Sequence, residues 1–285
     1  MPKAIVITIS ILGGIVLLVL LVSVVSNSFF NQKATKEISQ LFANNTVNND
    51  QLIVKSDLKG LPLPVQKWLE YSQVIGKERI STVRLKQKAM MRMNENQGWM
   101  PVQAEQYFTT AQPGFVWKAR IKAAPLFYIV GRDKYEDGKG NMLIKLLSLI
   151  TVADSKGKEI DQGTLLRYLA ETVWFPTAVL SNYIKWEEID SRSAKATMSF
   201  GGTSASGVFT FNEQGEVINF VAERYREFEG QYELNIWTIL MREYQEFNGI
   251  RIPTEGDVIW KLETGDFNWF QFEITELEYN KPLLY

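Results

Sequence analysis

Val83-Arg84-Leu85-Lys86-Gln87-Lys88-Ala89-Met90-Met91-Arg92-Met93 is the stretch on which the fold turns. Apolar Val83, Leu85, Ala89, Met91 and Met93 alternate with Arg84, Lys86, Lys88 and Arg92, the period of two expected of a strand with one dry and one wet face. The pattern returns along the chain. Phe115, Trp117, Ala119 and Ile121 alternate with Lys118 and Arg120. Ala194, Ala196, Met198 and Phe200 repeat it, as do Phe209 and Phe211, then Val258, Trp260 and Leu262, then Phe270, Phe272 and Ile274. Turn signals separate these runs at Asn96-Gln97-Gly98, Asp137-Gly138, Asn212-Glu213-Gln214-Gly215 and Asn248-Gly249. Many short alternating strands joined by tight turns predict a large antiparallel sheet with one apolar face. The outer faces carry too many charges for a lipid-facing barrel.

A helical island interrupts the strands. Leu143 to Ile150 reads as helical, and Thr164 to Phe175 more clearly so, with Leu165, Leu166, Leu169 and Trp174 as its face until Pro176 breaks it. Strands, helices and strands in that order predict a mainly β, α+β domain, a curved antiparallel sheet wrapped around or lidded by central helices.

Ahead of the domain, Ala4 to Val25 is an uncharged run rich in Ile, Leu and Val. At about 1.5 Å per residue such a helix spans a hydrocarbon core of roughly 30 Å. A cleaved signal peptide has a shorter apolar region and a small-residue cleavage site, and Ser26-Asn27-Ser28 is a poor one. Residues 1–30 are therefore expected to be a transmembrane anchor, 31–60 a polar tether with helical character around Glu37 to Phe42, and 61–285 one β-rich domain in water. Asn44-Asn45 and Asn48-Asn49-Asp50 give the tether its polarity. Leu61-Pro62-Leu63-Pro64 followed by Val65, Trp68 and Leu69 predicts a short amphipathic helix at the start of the domain. Lys3 and the amino terminus precede the run while Lys33, Lys36 and Glu37 follow it, a weak contrast. The expected placement is single-pass in the plasma membrane with the domain on the extracytoplasmic side.

Composition narrows the chemistry. With 46% hydrophobic residues the chain can bury a substantial core. With 31 basic against 32 acidic residues, no global field attracts nucleic acid. The chain has neither Cys nor His. Thiol and imidazole catalysis and the commonest metal ligands are thereby excluded, and no metal or cofactor is expected. An enzyme built here would work with Asp, Glu, Lys, Tyr, Arg, Ser or Thr.

Three places could carry chemistry. In Gly131-Arg132-Asp133-Lys134-Tyr135-Glu136-Asp137-Gly138-Lys139-Gly140, Asp133 and Asp137 could act as acid/base groups, though Asp137-Gly138 is ordinary turn chemistry. The alternating acidic positions of a cation-binding loop are absent from it. Arg167 and Glu171 are four apart, so they share a helix face and can pair, either on the surface or inside a cavity beside Trp174. In Ile218, Phe220, Ala222, Arg224 the arginine takes the parity of the apolar face, where a charge needs a partner. Glu171 and Asp133 are the expected carboxylates, unless a strand end or bulge turns Arg224 outward. Trp117, Trp174, Trp186, Trp237, Trp260 and Trp269 are either core or pocket lining. The candidate ligand-binding set is Trp117, Arg132, Asp133, Arg167, Glu171, Trp174 and Arg224.

These residues also carry a resemblance. Phe115-Val116-Trp117-Lys118-Ala119-Arg120, Gly131-Arg132-Asp133, Arg167-Tyr168-Leu169-Ala170-Glu171 with Trp174-Phe175-Pro176, and Asn248-Gly249-Ile250-Arg251-Ile252-Pro253 resemble the landmarks of an uncharacterised bacterial family of membrane-anchored proteins of unknown function, over roughly residues 61–280. That family brings no activity to carry over. At the level of fold the chain is similar to half-barrels of the lipoprotein-carrier type, in which a curved sheet wraps helices around an apolar cavity. The resemblance implies binding of an acyl chain or other apolar ligand at a membrane. Such carriers are usually released or lipidated, whereas a helix would fix this chain in place.

Three functional readings follow. A membrane-tethered module that binds a lipid or other apolar ligand predicts a Trp- and Phe-lined cavity with Arg132, Arg167 or Arg224 near its mouth. An interaction or sensory module, docking a membrane-protein partner, predicts an exposed apolar patch instead. A His-independent enzyme using Glu171 and Asp133 predicts two carboxylates in one cleft, one with a raised pKa.

Overall fold

The computed structural model describes residues 3–44 and 51–285. Asn45 and Asn48-Asn49-Asp50 of the expected tether lie outside them. Helix α1 (Lys3–Ala43) is unbroken. Its apolar stretch is long enough to cross a membrane, and most of its side chains from Ile7 to Val22 are exposed.

Residues 31–43 are docked helix and not tether. Phe30, Ala34, Ile38 and Leu41 recur at helical spacing and are all buried, a stripe hidden in the sequence among Asn, Gln, Lys and Ser. Ile38, Leu41 and Phe42 pack on Tyr107 and Val116, and Phe30 packs on Val130 and Leu143. At the other end of this contact, the Ser23 hydroxyl donates to the Leu147 carbonyl at 2.8 Å and bonds the Tyr128 hydroxyl at 2.8 Å. Ser148 donates to Asn27 Oδ1 at 3.0 Å. The sheet thus grips the helix from Ser23 to Phe42.

After a short 3-10 turn, α2 (Leu63–Tyr71) forms between Pro62 and Ser72 with Pro64 in its first turn, as the proline spacing predicts. Its Trp68 stacks on Phe209 and closes one side of the core.

The strands are β1 (Thr82–Met91), β2 (Met100–Thr109), β3 (Gly114–Ala124), β4 (Phe127–Glu136), β5 (Lys139–Leu146) and β6 (Ile150–Ser155), then, after the central helix, β7 (Ile184–Asp190), β8 (Ser193–Phe200), β9 (Thr203–Phe211), β10 (Val217–Phe228), β11 (Gln231–Phe247), β12 (Ile250–Leu262) and β13 (Gly265–Tyr279). All thirteen join one antiparallel sheet in the order β6-β5-β4-β3-β2-β1-β13-β12-β11-β10-β9-β8-β7. Two meanders meet where β1 pairs with β13, and the chain crosses from one free edge, β6, to the other, β7. The crossing is made by α3 (Lys158–Glu171) and two 3-10 turns through Leu180. α3 packs on β4 and β5 from one arm and on β8, β9 and β10 from the other, so the sheet curls around it as a half-barrel. Bulges between Lys86 and Gln87 and between Val258 and Ile259 add to the local twist.

Two boundaries differ from the sequence reading. Residues 143–150 are the end of β5, a turn and the start of β6. Leu143 pairs with Arg132 and Leu146 with Ile129, and Leu147 and Ser148 take positive φ in the turn. An eight-residue apolar stretch fits both periods, and the neighbouring strand decides between them. α3 also begins at Lys158, earlier than Thr164, with Glu159 and Asp161 in its first turn, where acidic groups favour a helix.

The arms touch at their turns. A Cβ on Gly201, in the β8–β9 turn at φ 58, would stand 2.3 Å from Gly138 Cα in the β4–β5 turn, while one on neighbouring Gly202 at φ 78 would meet nothing within 4 Å. Gly201→Ala should therefore cost about 1–3 kcal/mol and Gly202→Ala about 1 kcal/mol or less, for the backbone conformation alone. Urea unfolding of the two variants checks this, and equal losses would mean the turns are not in contact.

Candidate functional site

Strand parity fixes which side chains enter the concave face. Trp117, Ile121, Ile129, Gly131 and Asp133 point inward from β3 and β4, while Val116, Val130 and Arg132 point outward beneath α1. Gly131 leaves room for the Trp117 ring, which a Cβ there would approach to 3.4 Å. α3 contributes Arg167, Ala170 and Glu171, and the turn after it adds Val173 and Trp174. Opposite them stand Arg224 of β10, Trp237 and Ile239 of β11, and Phe272 of β13. These residues enclose a cavity of about 210 Å³. Its buried floor is aromatic and aliphatic, and its rim is formed by partly exposed Met91, Ile129, Met142, Ile144 and Phe270, with Met93 at 58% exposure.

One charged network crosses the cavity wall. Arg167 Nη1 donates to Asp133 Oδ2 at 2.7 Å and Arg167 Nε to Glu171 Oε1 at 2.8 Å. Gln106 Nε2 donates to the other Glu171 oxygen at 2.8 Å, and its own Oε1 accepts from Arg167 Nη2 at 3.4 Å. The guanidinium also faces the Phe115 and Trp117 rings at 5.0 and 5.2 Å. Trp117 Nε1 in turn donates to Gln87 Oε1 at 2.9 Å. Burial raises the Glu171 pKa, an effect that Arg167 and Gln106 oppose but do not cancel. Burial disfavours the Arg167 cation as well, yet Glu171 and Asp133 outweigh it and its pKa is raised.

Arg224 is different. The sequence reading gave it Glu171 or Asp133 as a partner, but Arg167 takes both. Arg224 lies instead over the Trp237 ring at 4.5 Å, with Trp260 at 6.0 Å. A Cβ on Gly163 would stand 3.5 Å from its Nε, so the side chain rests against α3. Its Nε is buried without a hydrogen-bond partner. Burial, and after it the like charge of Arg167, push its pKa down to about 10, which leaves it a cation at neutral pH.

Of the seven residues selected from sequence, the fold brings Trp117, Asp133, Arg167, Glu171, Trp174 and Arg224 to this cavity. Arg132 does not join them. Adjacent strand residues face opposite sides, so with Asp133 inward Arg132 lies under α1, where its Nε pairs with Glu37 at 3.0 Å. Trp237 and Trp269 line the cavity, whereas Trp186 packs on Trp68 and Phe209 elsewhere. Sequence reasoning missed Gln87 and Gln106, whose signal was polar residues at inward positions of β1 and β2. A second depression, between α1 and the outer face, is larger at about 440 Å³, but it is open and polar, bordered by Lys86, Lys88, Lys118 and Arg120. Among the described residues no group of three Asp or Glu side chains could hold a metal ion.

Removing Arg167 would leave two enclosed carboxylates without their shared partner. Arg167→Met should destabilise the domain by about 3–5 kcal/mol. Neutralising all three groups, as Arg167→Met with Asp133→Asn and Glu171→Gln, should recover much of that loss in denaturant unfolding.

A family model described as "Family of unknown function (DUF6544)" matches residues 51–272. No curated protein matches the chain. Among solved structures, a DUF1329 family protein from Desulfovibrio piger aligns at 9% identity and TM-score 0.44, over 78% of this chain and 93% of that one. A domain named for outer membrane lipoprotein sorting, from Vibrio parahaemolyticus, aligns at 8% identity and TM-score 0.39, over 77% and 93%. A LolA superfamily protein from Nitrosomonas europaea aligns at 8% identity and TM-score 0.33, over 77% and 95%.

Proposed function

The chain belongs to DUF6544, a family of unknown function, and on that premise we propose that it is a membrane-tethered module that binds a lipid or other apolar ligand in the cavity between sheet and helix. The observation that carries this reading is the position of the cavity relative to α1. The β1–β2, β3–β4 and β5–β6 turns share one end of the sheet by antiparallel succession. Rim residues Met91, Met93, Ile129 and Ile144 belong to that end. It is also the end at which Ser23 and Asn27 are held by Tyr128, Leu147 and Ser148, and beyond which the apolar stretch of α1 continues.

With α1 spanning a bilayer, the cavity opens towards the lipid and not away from it. Leu126 and Phe127 at the β3–β4 turn are 70% and 53% exposed, and Ile150 and Val152 of β6 are 61% and 60% exposed. Apolar side chains flanking the exit of a spanning helix suit the headgroup boundary, and exposed Arg120 and Lys122 beside them suit anionic headgroups. Lys3 ahead of the span favours a cytoplasmic amino terminus, with the domain on the extracytoplasmic side.

The carboxylate-enzyme reading has Asp133 and Glu171 in one site and a raised Glu171 pKa, as it requires, but Arg167 engages both carboxylates and Gln106 takes the second Glu171 oxygen.

Two measurements test the proposal. The full chain, purified in mild detergent, should carry lipid in native mass spectrometry, and Ile144→Asp at the rim should lower its occupancy severalfold; a wild-type mass that stays free of lipid after incubation with membrane lipids would overturn binding. The chain has no Cys, so a single cysteine can place an environment-sensitive fluorophore. At Leu126→Cys in nanodiscs its emission should shift to the blue and be quenched by brominated lipid, while at exposed Ala111→Cys, on the β2–β3 turn, it should report water.

A further inference from the structure

The cavity contains two cations in unlike circumstances. Arg167 has two carboxylates and an amide within hydrogen-bond reach. Arg224, among the described residues, has aromatic faces but no acceptor, and its Nε is enclosed without a partner. Were all four groups ionised the cluster would be neutral, so Arg224 is balanced at a distance by the surplus carboxylate on Arg167 but is touched by neither. Guanidinium groups are strongest as fork donors to carboxylate or phosphate, and a stacked ring face replaces none of those hydrogen bonds. Arg224 is also only partly covered, so a ligand atom can reach it.

Size limits what else the ligand can be. About 210 Å³ lies below the roughly 300–1,000 Å³ of sites for drug-sized ligands. It suits one alkyl chain whose end projects through the rim, not two chains side by side. Apart from the Asp133–Arg167–Glu171 network, the lining around Arg224 is largely apolar, with Trp117, Trp174, Trp237 and Phe272 available to a hydrocarbon.

Resting on the lipid-binding reading above, we propose that the ligand is a single-chain anionic amphiphile, its carboxylate or phosphate held by Arg224 and its chain lying among these aromatic residues. Asp133 and Glu171 oppose a second anion near Arg167, which leaves Arg224, among the described residues, as the cation lining the cavity that has no hydrogen-bond acceptor. The anion gives Arg224 the acceptor it lacks. The rise in the Glu171 pKa works in the same direction, since a proton taken up there reduces the negative charge that the anion meets.

The test uses delipidated full-length protein in detergent, titrated by native mass spectrometry with palmitate, palmitoyl lysophosphatidate, monopalmitoylglycerol and dipalmitoyl phosphatidylglycerol. Wild type should bind one equivalent of an anionic single-chain lipid at a concentration at least about tenfold lower than it needs for monopalmitoylglycerol. Arg224→Met should lose that preference, needing similar concentrations of the anionic and neutral single-chain lipids, with a cooperative thermal unfolding transition showing that the variant is folded. Preference for palmitate alone identifies a carboxylate ligand, preference for lysophosphatidate alone a phosphate, and preference for both a site for either. Equal binding of neutral and anionic chains by wild type, tighter binding of the two-chain lipid, or an anionic preference that survives Arg224→Met would overturn this proposal and leave lipid binding standing. Failure of all four lipids to bind wild type would overturn the lipid-binding reading itself.

Discussion

One helix inside a wide sheet is the constraint from which the rest follows. Thirteen strands at roughly 4.8 Å spacing make an arc well over twice the ~21 Å length of a fourteen-residue helix. Curling the arc brings both arms onto α3, and Gly138 against Gly201 marks how closely their turns approach. The remaining concave surface cannot all be covered by that helix. Near α2 the gap is filled by aromatic packing of Trp68, Trp186, Phe209 and Phe220. Beside β1, β3–β5, β11 and β13 it is left as a cavity.

The same strands serve two surfaces. On β3 and β4, alternate side chains face the cavity, and those between them face α1. An outward face of Tyr107, Val116 and Val130 would be an apolar liability in water, and the docked half of α1 removes it. The buried Arg132–Glu37 pair lies in that interface, a polar contact within an otherwise apolar seam. Anchor and cavity are therefore linked through two strands, so the direction of the cavity mouth relative to α1 is set by packing and not by a tether.

Much of this was legible because strands announce themselves by parity. Trp117 was placed inward by alternation, and Arg167 and Glu171 fell on one face of a helix by their spacing of four. What parity could not supply was the partner of each face. Arg132 and Asp133 are adjacent, so only one could enter the cavity, and choosing required knowing that α1 brings Glu37 to the outer side. The stripe Phe30, Ala34, Ile38, Leu41 was masked by polar neighbours, and its complement, Tyr107 and Val116, is far away in sequence. Residues 143–150 were ambiguous because eight apolar-rich positions satisfy both periods, and only pairing with β4 resolves them. Arg224 was singled out as a charge at an apolar position, yet its lack of a carboxylate depended on Arg167 having engaged both.

The central claim is that the cavity accepts an apolar chain, and its own tryptophans can report on that. Four of the eight in the chain, Trp117, Trp174, Trp237 and Trp269, line it. The most direct measurement is the tryptophan fluorescence of the full-length protein titrated with bromostearate, compared with unbrominated stearate. Saturable quenching at one equivalent, displaced by excess stearate, is the result the account predicts. Quenching that only rises in proportion to bromostearate partitioned into the detergent, with no saturation and no displacement, would contradict it.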